Sequence, residues 1–315
     1  MINLPKEVLI REVMPRDGLQ NIAKMIPTET KIEMINRLSD CGIKLIEVTS
    51  FSHPKWIPQL SDAEKVVKGI IKRPSTDYVA LVPNVKGAER AINAGGLNGI
   101  GITMSVSETH NQKNLGMSRK DSMAQAKKAF QLATENGLDF VGGTAVAFGC
   151  PMEGEVPFEE LEWVVGNYAE LGVKTVRLGD STGMANPAQV MENVGKLREL
   201  FPEIKFNFHG HNTRDMGLAN VIACLEAGVT IFDGAICGLG GCPYAPGATG
   251  NIDTIDLVHM LHQMGIETGI DLEKLIEVGK YVEDVMGRQL HSSVMRAGTV
   301  QDLHDPSTVD HGQFH

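Results

Sequence analysis

The chain has 315 residues, of which 42% are hydrophobic and 22% charged, with a formal net charge of −10. That length allows one large core or two modest ones, and the composition is ordinary for a globular enzyme. The acidic balance argues against a nucleic-acid protein, which would carry a basic domain or stripe. Five scattered cysteines, Cys41, Cys150, Cys224, Cys237 and Cys242, show no CxxC spacing. Neither a disulfide framework nor structural zinc is expected from them. The start, Met1 to Glu7, has no apolar signal region, and no stretch is long enough to span a bilayer. A cytoplasmic enzyme with no membrane partner is the expectation.

Taken in chain order, short apolar, β-rich runs recur at 9–14, 45–51, 78–83, 99–106, 140–148, 175–178, 204–209 and 230–236. Helical spacing lies between many of them, at 28–40, 85–94, 120–136, 158–171, 187–200 and 215–227. Gly42, Gly95, Gly137, Gly172 and Gly228 sit where helix C-caps belong. Eight strand–helix units predict an α/β fold of the (β/α)8 TIM-barrel class. No GxGxxG follows the first strand, which weakens a dinucleotide-binding alternative. A Gly-rich loop at 238–250 and two further helices, 254–264 and 272–286, follow the last strand. Residues 1–298 are read as one catalytic domain and 299–315 as a polar, flexible tail whose His304, His311 and His315 are solvated.

A barrel of this kind carries its site at the carboxyl ends of the strands. Strand one runs into Met14-Pro15-Arg16-Asp17-Gly18. Asp17 is either half of a surface ion pair or an anionic metal ligand beside a charge-stabilising Arg16. Glu47 sits inside an apolar run, where an unpaired carboxylate is costly, so it is expected either to pair, with Arg16 among the candidates, or to be functional. Asp180, at the end of strand six, either orients a histidine or caps the next helix. His209 and His211 flank Gly210 at the end of strand seven. Their i, i+2 spacing puts both on one strand face about 7 Å apart, a start on a metal site. The loop after strand eight carries Cys242 and Asn251 and reads either as a Gly-rich linker or as a mobile lid that delivers a thiol. Asp17, His209, His211 and Asn251 together offer one carboxylate, two imidazoles and one amide oxygen. That mixed set suits Mg²⁺ or Mn²⁺ and also admits Zn²⁺ or Co²⁺. Cys150 reads as structural.

The segments Arg16 to Asn21, Glu47 to Phe51, Pro54 to Gln59, His209 to His211 and Gly238 to Asn251 resemble the 3-hydroxy-3-methylglutaryl-CoA lyase family, metal-dependent lyases on a TIM barrel. The resemblance runs from about Val8 to about Ser293. It implies an acyl-CoA substrate and a divalent cation, Mg²⁺ or Mn²⁺, on Asp17, His209, His211 and Asn251. Arg16 would stabilise the enolate of the departing acetyl thioester, Glu47 would hold the Arg16 side, and His209 and Cys242 would handle protons. Asp180 would support the site. Gln20, Ser50 and Lys24 join Arg16 as substrate contacts, with Lys24, Lys55 and Lys113 as candidates for the CoA phosphates. A homodimer or higher homo-oligomer is implied as well.

There are departures from the family pattern. Met14 stands where many members have glycine, and Gly210 and Asn212 stand where the best-known lyases have cysteine and aspartate. Segments 107–114 and 148–154 also differ at several positions. A related 3-hydroxyacyl-CoA, such as citramalyl-CoA, is therefore an alternative substrate. A Claisen synthase or pyruvate aldolase of the same superfamily is a second alternative, which the Cys242 loop disfavours. A non-catalytic ligand-binding barrel is the third.

Overall fold

The computed structural model describes residues 4–241 and 250–303. Eight strands form a closed parallel barrel in chain order. They are β1 (Leu9–Glu12), β2 (Leu45–Ser50), β3 (Asp77–Leu81), β4 (Gly99–Ser105), β5 (Asp139–Ala145), β6 (Thr175–Asp180), β7 (Lys205–Gly210) and β8 (Ile231–Gly234). The barrel closes where β8 pairs β1, with Leu9 opposite Ile231 and Arg11 opposite Asp233. All eight expected strands are present, shifted at their ends. β1 stops at Glu12 because Met14–Gly18 leaves the sheet as a π-type turn.

The helices are α1 (Thr28–Asp40), α2 (Ala63–Gly69), α3 (Val85–Ala94), α4 (Glu108–Leu115), α5 (Arg119–Glu135), α6 (Phe158–Leu171), α7 (Pro187–Leu200), α8 (Gly217–Glu226), α9 (Thr254–Gln263), α10 (Leu272–Met286) and α11 (Ser293–Ala297). The periodic segments seen in the sequence are all helical. Three short helices were not expected. α2 has seven residues and α11 five, too few for a resolved apolar stripe. α4 is polar along its length (ETHNQKNL) and is set instead by its ends. The Ser107 side chain accepts from His110 N, and Gly116 follows at φ 68°.

The apolar core lies between sheet and helices. Ile46, Ile100, Val176, Phe208 and Phe232 of the strands join Met34, Leu38, Val165, Leu197 and Val221 of the helices. Among the described residues Cys41, Cys150, Cys224 and Cys237 are buried free thiols. No helix there is long and apolar enough to cross a membrane. The barrel interior is different. Arg11, Glu47, Thr103, Arg177, Asn207, His209 and Asp233, from six strands, contact one another and must share the inner face. Barrels of this class usually fill that space with Val, Ile and Leu.

Candidate metal centre

β7 delivers two imidazoles. His209 and His211 lie on one face with ring centroids 5.2 Å apart. Gly210 between them points to the other face. A Cβ there would meet the Phe208 ring at 2.6 Å and Ile252 Cδ1 at 2.8 Å, so the helix-side packing leaves no room for a side chain.

The π-type turn after β1 delivers the carboxylate. The amides of Arg16, Asp17 and Gly18 converge on the Val13 carbonyl at 3.1, 2.7 and 3.3 Å. Such turns are rare and recur at functional sites. Here the turn projects Asp17 toward β7. Asp17 Oδ2 lies 3.8 Å from His211 Nε2 and 4.0 Å from His209 Nε2. One ligand atom from each of the three residues lies within 4.8 Å of the others. A cation at its usual ~2.0–2.2 Å from N and O donors fits between groups so spaced.

Asn251 joins them from beyond β8. It faces His211 across an antiparallel bridge, flanked by Asn212 N to Gly250 O at 2.9 Å and Ile252 N to Gly210 O at 3.2 Å. Its amide nitrogen donates to Asp17 Oδ2 at 2.7 Å and to Leu239 O at 2.9 Å. Asn251 Oδ1 and His211 Nδ1 are buried polar atoms with no hydrogen-bond partner. An orphaned amide oxygen beside a carboxylate and two imidazoles is the donor set a hard divalent cation accepts, so the residues present fit such an ion.

The protonation states suit that role. Burial opposes ionisation of Asp17, yet Arg16, His209, His211 and the Asn251 hydrogen bond outweigh it and hold the carboxyl well below its usual range. Burial, then neighbouring His209, pushes His211 down to about 4, leaving it neutral. His209 Nδ1 donates to Asp233 Oδ2 at 3.0 Å, which turns Nε2 toward Asp17 as the free donor.

Beside the ligands, Arg16 pairs with Asp17 and, through Nε, with Glu47 Oε2. The expected partnership of Glu47 and Arg16 is present. Beneath them Arg11, Arg177 and Asp233 complete a buried charge cluster that sequence reasoning missed. The signal was available, because each is a charge inside an apolar strand run, the argument already applied to Glu47.

Asp180 does neither of the two things considered for it. Its Oδ1 accepts from the amides of Met184 and Ala185 at 2.8 and 3.2 Å, while Asn186 caps α7 and Asp233 orients His209. Gln20 is half-buried just past the Asp17 turn. Ser50 is buried and its hydroxyl meets that of Ser52 at 2.8 Å. Lys24 Nζ donates to Val285 O of α10 at 2.6 Å. Lys55 and Lys113 are exposed. Cys242 lies outside the described residues. So do the expected tail histidines His304, His311 and His315. The loop bearing Cys242 is anchored at its start by Asn21 Nδ2 to Gly241 O at 2.8 Å.

The two segments that depart from the family pattern meet each other beyond β4 and β5. Cys150 Sγ donates to Ser107 Oγ at 3.3 Å, and Thr109 N donates to Glu153 Oε1 at 3.0 Å.

The fold and the converging donors define a (β/α)8 barrel with a candidate divalent-metal site at the carboxyl ends of its strands. Comparison with known proteins makes this specific. The HMGL-like family model matches residues 7–282. Hydroxymethylglutaryl-CoA lyase YngG of Bacillus subtilis is 46% identical over 288 residues, 91% of this chain and 96% of that protein. The human mitochondrial hydroxymethylglutaryl-CoA lyase is 38% identical over 297 residues, covering 94% and 91%. A crystal structure of the Bacillus subtilis HMG-CoA lyase superposes with TM-score 0.91 at 45% identity, over 93% of this chain and 98% of that one. An HMG-CoA lyase from Acinetobacter baumannii in complex with coenzyme A and 3-methylmalate superposes with TM-score 0.91 at 42% identity, over 95% and 98%. The chain belongs to the HMGL-like family and is a carbon–carbon lyase of the hydroxymethylglutaryl-CoA lyase type.

Proposed function

We propose that the chain cleaves 3-hydroxy-3-methylglutaryl-CoA to acetyl-CoA and acetoacetate, using Mg²⁺ or Mn²⁺ held by Asp17, His209, His211 and Asn251. The observation that carries the reading is the convergence of Asp17, His209 and His211 within 4.8 Å, with Arg16 fixed alongside.

A cation held by these residues would supply Lewis acidity that favours loss of the substrate hydroxyl proton. The chain's own groups account for the rest. The C2–C3 bond of the acyl chain breaks, C3 becomes the ketone of acetoacetate, and the bonding pair passes to C2 as the thioester enolate. Arg16, itself buried, offsets the enolate charge. Glu47 fixes the guanidinium from behind. His209, its Nδ1 held by Asp233, would hold the cation through Nε2, and the hydroxyl proton passes to water at the site. Cys242 returns a proton to C2, giving acetyl-CoA.

A second reading has specific support. The Acinetobacter baumannii relative holds coenzyme A with 3-methylmalate, a branched hydroxy diacid, and segments 107–114 and 148–154 depart from the best-known lyases. Both favour a related branched hydroxyacyl thioester, a class that includes citramalyl-CoA.

A panel of 3-hydroxyacyl-CoA thioesters, assayed with Mg²⁺ or Mn²⁺ and with EDTA as control, tests both readings. Release of acetoacetate from the methylglutaryl thioester, abolished by EDTA, is expected. Turnover confined to another thioester replaces the first reading with the second. Full activity in EDTA removes the metal from both.

A further inference from the structure

The floor of the site is an alternating square of charge. Arg11 Nη2 lies 3.0 Å from Asp233 Oδ2 and 3.6 Å from Glu47 Oε1. Arg177 Nη1 lies 3.3 Å from Glu47 Oε1 and 3.7 Å from Asp233 Oδ2. All four side chains are 5% exposed or less. The second arm of Arg177 donates to Thr103 Oγ1 at 2.7 Å, and Asn207 Nδ2 donates to Asp233 Oδ1 at 2.9 Å.

Both acids also face upward. Glu47 presents its other oxygen to Arg16, and Asp233 accepts from His209 Nδ1. The square therefore joins the charge-stabilising side of the centre to its metal side. Burying charges is costly unless each is paired, and apolar layers fill this space in other barrels of this class. A mere filler has no need of them.

We propose that Arg11 and Arg177 are positioning residues, which hold Glu47 and Asp233 in place and thereby set the Arg16 guanidinium and the His209 ring for catalysis. The inference rests on the function proposed above. Neither arginine touches the ligand atoms, so both act through the two acids. With one guanidinium removed, Asp233, which orients His209, loses one of its two arginine partners, and Glu47 loses one of its three.

The test is Mn²⁺ binding to chelator-stripped protein, followed by electron paramagnetic resonance, together with steady-state kinetics on the thioester the wild type uses. Arg177→Met and Arg11→Met keep an unbranched apolar stem while removing the charge. Each is expected to weaken Mn²⁺ binding about tenfold or more, the scale of losing a metal ligand's support. Each is also expected to lower kcat by about tenfold or more while KM stays within about threefold. Thr103→Val keeps all four charges and frees one arm of Arg177. It is expected to fold and to lower kcat by about three- to tenfold. Methionine variants that lose only thermal stability, with Mn²⁺ affinity and kcat per folded molecule unchanged, overturn the inference. Should those variants not fold, Thr103→Val decides, and wild-type kcat in that variant overturns it. Wild-type protein that binds no Mn²⁺ overturns the underlying functional reading, and this is seen before any variant is made.

Discussion

The amide nitrogen of Asn251 donates to Asp17 Oδ2 at 2.7 Å, tying the turn after β1 to the segment after β8. The link holds Asn251 against the carboxylate that faces the two β7 histidines. Asp17 is the only carboxylate among the four proposed ligands, so its charge dominates attraction for a cation. Asp17→Asn is expected to weaken Mn²⁺ binding by about a hundredfold, the upper range for losing a ligand's contribution, and to abolish turnover. Calorimetric titration of the stripped variant checks this. Affinity within threefold of wild type would move the site elsewhere.

Gly240 packs directly against that link. It sits at φ +108°, and a Cβ there would lie 2.5 Å from Asn251 Nδ2 and 3.0 Å from the Asp17 carbonyl. Gly240→Ala is therefore strained and displaces a proposed ligand as well. It is expected to cost about 1–3 kcal/mol in urea unfolding and to weaken Mn²⁺ binding. A variant with wild-type stability and affinity would show that the loop base has slack.

Arg16 reaches Asp17 and Glu47 with different nitrogens of one guanidinium. Lysine keeps the charge but not the fork. Arg16→Lys is expected to lower kcat by about 10²–10³, the loss typical when one preorganised stabiliser of a developing anion is removed. The variant should still bind Mn²⁺. A kcat within threefold of wild type would take the enolate role away from Arg16.

Much of this was legible before the structure. Parallel strands covered on both faces are short apolar runs, so all eight barrel strands stood out, and the residues at their ends named Asp17, His209, His211 and Asn251. What stayed hidden depends on which face a residue takes. Arg11, Arg177 and Asp233 sat within recognised strand runs, but a run alone does not say that three charges from β1, β6 and β8 meet inside. Glu12 shows the same limit in the opposite direction. It is fully buried on the outer face of β1, against Thr254 of α9. The π-type turn was hidden because it is made by backbone amides sharing one carbonyl, and no side-chain pattern records that.

Glu12 yields a pH prediction. Burial pushes its carboxyl up from 4.5 to about 8, despite hydrogen bonds from Thr254, Met14 and Ile236. Between those values the folded chain keeps a proton that the unfolded chain releases, so rising pH favours unfolding. This contribution to stability is fully present below about pH 4.5 and is lost progressively up to about pH 8. Glu12→Gln retains the shape and removes the titration. Urea midpoints at pH 5 and pH 8 should fall further for the wild type than for Glu12→Gln. Equal changes in the two proteins would mean that Glu12 does not titrate in that window.

Acetoacetate formation from 3-hydroxy-3-methylglutaryl-CoA by chelator-stripped protein, followed as Mn²⁺ is added back, tests the metal-dependent cleavage most directly. Asp17, His209, His211 and Asn251 as a single site predict no product without metal and a rise that saturates at one Mn²⁺ per chain. Full acetoacetate formation by the stripped protein would contradict it.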